Sequence, residues 1–499
     1  MTTAMKVHTK LNGKPASKGN THDADTSSGS GVCFSNCAGK KALKIDAICD
    51  SLQALTGGWP KCISGVLCYV KDGEVRPLES ASALFAWIGS HALVEWRKGA
   101  RAVGKEELFK RLGQRERWDW ATPHPHFPKV PGVLYLTKPP KAENNGKLNE
   151  LIARFRPKTT QDRELIKALV LTLFWGGPPG KRPQFVIAAE ENKDKEAGRG
   201  TGKSSLAQYL ASLVGGCIDV DPSGGRDRIF TNILSPSSWG QRVILIDNLK
   251  ASRFSSDLIE KLITRDEITG HRMYQGFAKR PNLLTWVVTV NGAFFSTDMA
   301  QRAVVIKLDR PPKNAPNWDA DTPAFIKANR EAIIADVRWH LEVKPPVTLT
   351  EVDRWGLWCA AVLSRCDQPQ ALIECLGKRR EAIDGDKQEL VLAVEHLRSC
   401  IATAIDTQGG QSNLNIDSRK VWAPSAWLVQ ALRLYKREFT DHQAQQFLAR
   451  LTSSERLKEQ RLNGQRGYMW IGKKVGDADA PIQAIQYSPE VPSSRPQKK

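Results

Sequence analysis

Residues 198–205 read Gly198-Arg199-Gly200-Thr201-Gly202-Lys203-Ser204-Ser205, residue types suited to holding a chain of phosphates. Glycines let backbone N–H groups crowd around phosphate oxygens. A lysine neutralises the outer phosphates, and a hydroxyl directly after it can bind magnesium. The flanks are those this chemistry requires. Phe185-Val186-Ile187-Ala188-Ala189 reads as a buried strand, and Leu206 to Val214 as an amphipathic helix stopped by Gly215-Gly216. One position departs from the full GxxxxGK[ST] pattern, which begins with glycine where this chain has Ala197. The pattern assigns ATP to Gly198, Gly200, Thr201, Gly202, Lys203, Ser204 and Ser205.

Elements downstream supply the rest of such a site. Arg242-Val243-Ile244-Leu245-Ile246-Asp247 is an apolar strand ending in a carboxylate, the second magnesium-binding element of a P-loop enzyme. Ser204 and Asp247 are thus the expected Mg2+ residues. Leu283 to Val290 is another buried strand and ends in Asn291, an amide able to orient an attacking water. Asp298-Met299-Ala300-Gln301-Arg302 leads into a last strand, Ala303 to Leu308. Asp219 and Asp221, in Ile218-Asp219-Val220-Asp221-Pro222, read as structural residues of the second strand of this core.

In this order of P-loop, strand-Asp, strand-Asn and Arg before a final strand, the chain resembles AAA+ ATPases. It is most similar to the superfamily-3-like helicase half of primase-helicase proteins of phages and integrative elements. Arg199–Ser205, Ile244–Asn248, Ile268–Asn291 and Ser296–Leu308 carry the resemblance. Asp72–Leu78, Pro123–His126 and Arg354–Trp358 extend it loosely over residues 65–400. The resemblance implies ATP-driven movement on DNA by a ring, a homo-hexamer, with a primase or other replication proteins as partners. It implies that Arg302 reaches a neighbouring subunit's γ-phosphate. It also implies that the segment before the Asn291 strand is a hairpin whose Arg272, Lys279 and Arg280 grip DNA, with glycines 270 and 276 permitting tight turning. The chain departs from the family at Asn248, where many such ATPases carry an acidic residue. An amide orients water but takes no proton, so Glu190 and Glu191 become candidate carboxylates. The catalytic set is then Lys203, Asp247, Asn248, Asn291 and Arg302. The competing reading is a DNA-binding ATPase switch or loader that does not unwind.

Composition agrees with a nucleic-acid partner. Against 53 Asp and Glu stand 73 Lys and Arg, a formal net charge of +20, which calls for a polyanion. No apolar run approaches the roughly 18 residues of a membrane span, and the first residues lack the apolar core of a secretory signal, so a cytoplasmic setting is expected. The ten cysteines read as reduced thiols; Cys33, Cys37, Cys49 and Cys62 lack zinc-site spacing. The Pro123-His124-Pro125-His126 segment reads as a rigid loop.

The expected fold class is α/β, with an AAA+-like parallel-sheet core at 161–310 and a helical lid at 311–405. A mixed α/β domain occupies 41–160 and a winged helix 420–475, with disordered segments at 1–40 and 476–499. Within these, Ala81 to Trp96 and Lys105 to Leu112 read as helices. Asp162 stands near a capping position. Ser425 and Asp441 are expected N-caps of two helices ahead of a strand-turn-strand over Arg461 to Ile471.

Overall fold

The computed structural model describes residues 32–99, 101–189, 200–249, 253–272, 276–291, 294–309, 318–350, 353–407, 415–417, 420–436, 439–453, 457–462 and 464–470. Gly198, Glu190, Glu191 and the 476–499 tail lie outside these residues.

The chain forms two units. One runs to Glu116 apart from two short excursions at 62–66 and 70–77; those excursions and everything from Arg117 onward form the other. The smaller unit holds helices Ile45–Leu55, Ala81–Gly89 and Lys105–Gln114 around a core of Phe34, Ile48, Leu52, Leu84, Ile88 and Leu108. Two sequence expectations need correction here. The helix from Ala81 stops at Gly89, and Leu93–Glu95 is instead a strand paired in parallel with Cys33–Ser35. That pairing also orders part of the 1–40 segment, because Phe34 can bury its ring against the helices.

The larger unit is built on a five-stranded parallel sheet: Gln184–Ala189 (β1), Cys217–Asp219 (β2), Val243–Leu249 (β3), Thr285–Val290 (β4) and Ala303–Leu308 (β5). The spatial order is β2-β3-β4-β1-β5. Phe185 pairs with Val287 of β4 and Val304 of β5, Val243 with Thr285, and Cys217 with Val243. Continuous apolar runs suit a sheet covered on both faces. Phe185, Val186, Ile187, Ile244, Val288 and Val304 are all fully enclosed. The covering helices include Thr160–Phe174 (α1), Lys203–Ser212 (α2) and Arg226–Leu234 (α3).

The core does not begin at 161. Phe127, Leu148, Leu151, Ile152 and Phe155 share its hydrophobic cluster, and a buried arginine fastens the 122–127 segment to it. Arg242, just before β3, donates to the carbonyls of Pro125 (2.8 Å), Leu173 (3.0 Å) and His124 and to Thr122 Oγ1 (3.3 Å). The helices expected as a separate lid likewise divide differently. Trp318–Arg338 and Pro369–Ile383 contribute Ile326, Ile333, Leu372 and Leu376 to the sheet's own cluster. Gly385–Thr407 gives Ala393, Leu397 and Ile401 to a second cluster with Leu428, Leu432, Phe447 and Leu448. That cluster comprises three helices, Gly385–Thr407, Ser425–Tyr435 and Asp441–Ser453, with a four-stranded antiparallel sheet that includes the Leu457–Leu462 and Gln465–Trp470 hairpin. Ser425 and Asp441 are the first helical residues rather than caps; Pro424 precedes one helix, and Thr440 Oγ1 accepts from Gln443 N ahead of the other.

Asp162 does more than sit near a helix start. Thr159 caps α1, its hydroxyl accepting from the Asp162 amide and donating to its carboxylate at 2.6 Å. The same carboxylate, wholly buried, accepts from Lys307 N at 2.7 Å and from Arg379 at 2.5 and 3.1 Å. It therefore satisfies an outward amide of edge strand β5 and locks the Pro369–Ile383 helix to it. Asp162→Ala should cost about 3–5 kcal/mol, since it takes the carboxylate partner from the mostly buried Arg379 guanidinium and from Lys307 N. Denaturant unfolding of the full chain checks this, and a loss under 1 kcal/mol would show the pair to be dispensable.

Candidate functional site

A parallel sheet sends all its strands' carboxyl ends to one edge, so the residues after β1, β3 and β4 meet there. The loop after β1 enters α2 through Gly200 and Gly202, whose φ angles of +74° and +79° are left-handed and favour glycine. The Gly202 carbonyl accepts from Leu206 N, so α2 starts at Lys203 and presents its first amides toward the loop.

Lys203 is held inward, 8 % exposed. Its ammonium donates to Asn291 Oδ1 at 2.8 Å and to Thr201 Oγ1 at 3.2 Å. Burial pushes it below its ordinary pKa, opposed by the Asp247 carboxylate. One residue on, Ser204 Oγ donates to Asp247 Oδ1 at 2.6 Å. The same oxygen accepts from Thr289 Oγ1 at 2.5 Å, and Thr289 in turn accepts from Asn248 N at 2.7 Å. Asn291 Nδ2 donates to Asn248 Oδ1 at 3.2 Å. The strand order makes this circuit possible, because β4 lies between β1 and β3 and carries Thr289 and Asn291 on either side of Val290.

Asn248 sits where β3 loses register with β4, between Ile246 and Leu249, and its φ is +52°. Asparagine tolerates that left-handed backbone better than most residues. Its amide completes the circuit but offers no proton acceptor. Thr289 was not singled out in the sequence. The available signal was a hydroxyl two residues before the strand-ending Asn291, on the same face of the strand. Altogether the site offers an ammonium, backbone amides at the start of α2 and hard oxygen donors. That set fits a polyphosphate and a hard divalent cation such as Mg2+.

Arg302 does not face outward. Its side chain is mostly buried; Nη1 donates to the Asp298 carbonyl at 2.8 Å and lies 3.8 Å from Glu260 and 3.6 Å from the Asp298 carboxylate. Glu260 also accepts from Ser296 Oγ. The arginine thus ties Thr297–Gln301 to the Asp257–Thr264 helix, which corrects the expected outward placement of its side chain.

The segment before β4 is an antiparallel hairpin, Glu267–Arg272 with Gly276–Pro281. Its strands alternate, so Ile268, Gly270, Ala278 and Arg280 share the inner face. Gly270 serves close approach rather than turning: a Cβ there would stand 2.8 Å from the Phe230 ring of α3. Arg280 is the second correction. It is 2 % exposed and donates to the carbonyls of Ile233, Ser238 and Gln241 at 3.2, 3.2 and 2.5 Å. Its guanidinium lies 4.7 Å from the Trp120 ring, and burial lowers its pKa to about 9. It cannot grip DNA. Lys279 and His271 are exposed on the outer face, Lys279 being 3.3 Å from Glu267. The backbone of Arg272 ends the first strand, and its side chain lies outside the described residues.

No family model matches the sequence, and no curated protein matches it. Among solved structures, the chain is similar to the A-form apo structure of the NrS-1 C-terminal region. Identity is 11 % and the TM-score 0.45, over 82 % of this chain and 95 % of that one. A further apo structure of the NrS-1 C-terminal region gives 12 % and 0.44, over 81 % and 93 %. JCV helicase bound to a small molecule gives 11 % and 0.25, over 47 % and 59 %. At such identities and TM-scores none of these likenesses assigns a role to any residue. No helix among the described residues is long and apolar enough to cross a membrane.

The two hairpin cations should therefore behave oppositely. Arg280→Ala removes a buried donor from the Ile233, Ser238 and Gln241 carbonyls, the first two keeping Ser238 Oγ and Gln241 N as donors, and should lower stability by about 2–3 kcal/mol. Lys279→Ala should stay within about 0.5 kcal/mol of the parent. Paired thermal melts distinguish them, and equal effects would refute the inward placement of Arg280.

Proposed function

We propose that this chain is an ATP hydrolase that couples turnover to movement on DNA, a helicase or replication-initiation ATPase of a mobile element acting as a homo-hexameric ring. The observation that carries the reading is the paired contact of Lys203 with Asn291 and of Ser204 with Asp247, on the ends of adjacent strands. ATP would lie along residues 198–205, with Lys203 and the first α2 amides against its outer phosphates. Ser204 and Asp247 would hold Mg2+, which when bound neutralises charge developing on the phosphate oxygens. Thr289 keeps Asp247 oriented, and Asn291 and Asn248 place the attacking water.

DNA binding draws on two surfaces. The outer face of the 267–281 hairpin offers His271 and Lys279. The C-terminal three helices and hairpin have the composition of a winged helix, with Asp441–Ser453 as the groove-entering helix and residues 457–470 as the wing. Lys458 and Arg461 are exposed on that hairpin, while Arg466 is paired with Glu459 at 2.8 Å.

One observation favours a second reading, a DNA-binding switch or loader: Asn248 supplies no carboxylate beside Asp247. A strand-displacement assay separates the two. Lys203→Ala should remove ATP binding and turnover, by 100-fold or more, without lowering the melting temperature. A parent that unwinds forked DNA only with ATP supports the helicase. A parent that hydrolyses ATP without unwinding supports the switch. Normal turnover by folded Lys203→Ala rejects both.

A further inference from the structure

We propose that Asp219 is the proton acceptor of the hydrolysis assigned above, an inference that rests on that assignment. Among the described residues the circuit around Asp247 contains amides, hydroxyls and an ammonium but no second carboxylate, and Asn248 cannot take a proton. A cavity of about 390 Å3 adjoins it and is lined by Asp247 together with Asp219, Asp221, Gln208, Arg228 and Asn232.

Register shows why Asp219 faces Asp247. Asp219 ends β2 opposite Leu245 of the parallel neighbour β3, and Val220 N donates to the Leu245 carbonyl at 2.9 Å. Asp247 comes two residues after Leu245, so both side chains project from the same face, diagonally across adjacent strands. Gln208, which lines the same cavity, is one turn along α2 from Ser204, so this is the face that α2 covers. Cys217 reports the same arrangement. Its thiol lies 3.7 Å from Asp219 Oδ1 and is pushed up to about 11 by burial first, then by Asp219, with Asp247 adding to the effect. Asp221 is turned to local use, accepting from Ser223 N and Oγ at 2.9 and 2.6 Å.

A carboxylate here stands beside the proposed cation residues in a cavity large enough for water. In the step assigned to it, the water oxygen forms a bond to the γ-phosphorus as the bond from that phosphorus to the bridging oxygen breaks. ADP and inorganic phosphate leave, and the water's proton passes through water in the cavity to Asp219 and then to solvent. The charged and titratable neighbours facing it are Asp247, Asp221, Arg228 and Cys217.

The test is Asp219→Asn in the full chain, read by titration with a fluorescent ATP analogue in Mg2+ and by phosphate release across pH. Nucleotide affinity should stay within threefold of the parent. Turnover should fall 100-fold or more, and the acid limb of the residual pH–rate profile should vanish. Asp219→Glu should recover part of the rate and restore an acid limb at shifted pH. Turnover within threefold of the parent, an unchanged acid limb, or loss of nucleotide binding in step with turnover would each overturn the assignment. If the parent itself neither binds nor hydrolyses ATP, the ATPase reading fails and this inference falls with it. If Lys203→Ala is inactive while Asp219→Asn turns over normally, only the inference fails.

Discussion

The position of one strand governs the site. Thr285–Val290 is inserted between the strand that precedes the glycine loop and the strand that ends in Asp247. Neighbouring strands lie about 4.8 Å apart. Lys203 therefore finds Asn291 one strand away, and Ser204, one residue further along its helix, finds Asp247 two strands away. Without that insertion the amide of Asn291 and the hydroxyl of Thr289 would leave the circuit. The parallel sense matters equally, because it gathers all three strand ends on one edge.

At the opposite edge, where these strands begin, buried arginines secure the loops. Arg182, Arg242 and Arg280 are each enclosed, each lowered to about 9 by burial, and each spends its donors largely on backbone carbonyls. Two also lie against tryptophan rings, Arg182 on Trp175 and Arg280 on Trp120. A guanidinium suits this use because its planar fork reaches several acceptors at once. The neighbouring His124 and His126 are correspondingly neutral. Burial, then Arg242, pushes His124 down to about 3 and His126 well below its ordinary value. Their ring nitrogens serve as contacts to Arg330 and Tyr135 at 2.8 and 2.9 Å.

The sheet was legible because its strands are uninterrupted apolar runs and its helix starts carry glycine and hydroxyl signals. Lys203, Ser204, Asp247 and Asn291 could be singled out because each ends or begins such a run. Failures came where charge was taken as a guide to exposure. Arg280 and Arg302 look like surface residues by type, but period-two alternation puts Arg280 on the face of Ile268, and three carbonyls make that burial tolerable. Domain limits failed for a related reason. Nothing local in Thr122 to Phe127 announces that Arg242, far along the chain, will bind it into the core. Asp219 was set aside as structural because the pairing that turns it toward Asp247 is a property of the sheet and not of its own five-residue neighbourhood.

The circuit around Asp247 has a consequence for how the pocket fills. Lys203, Asn291, Asn248, Thr289, Asp247 and Ser204 already satisfy one another. A polyphosphate entering here trades contacts instead of adding them to bare groups. The Lys203 ammonium must turn from an amide oxygen to an anionic one, and the Ser204 hydroxyl must give up Asp247. On the proposed reading each such trade would release a partner, so docking of phosphates at α2 would be felt at the tips of two neighbouring strands, at Asn291 and Asp247 together.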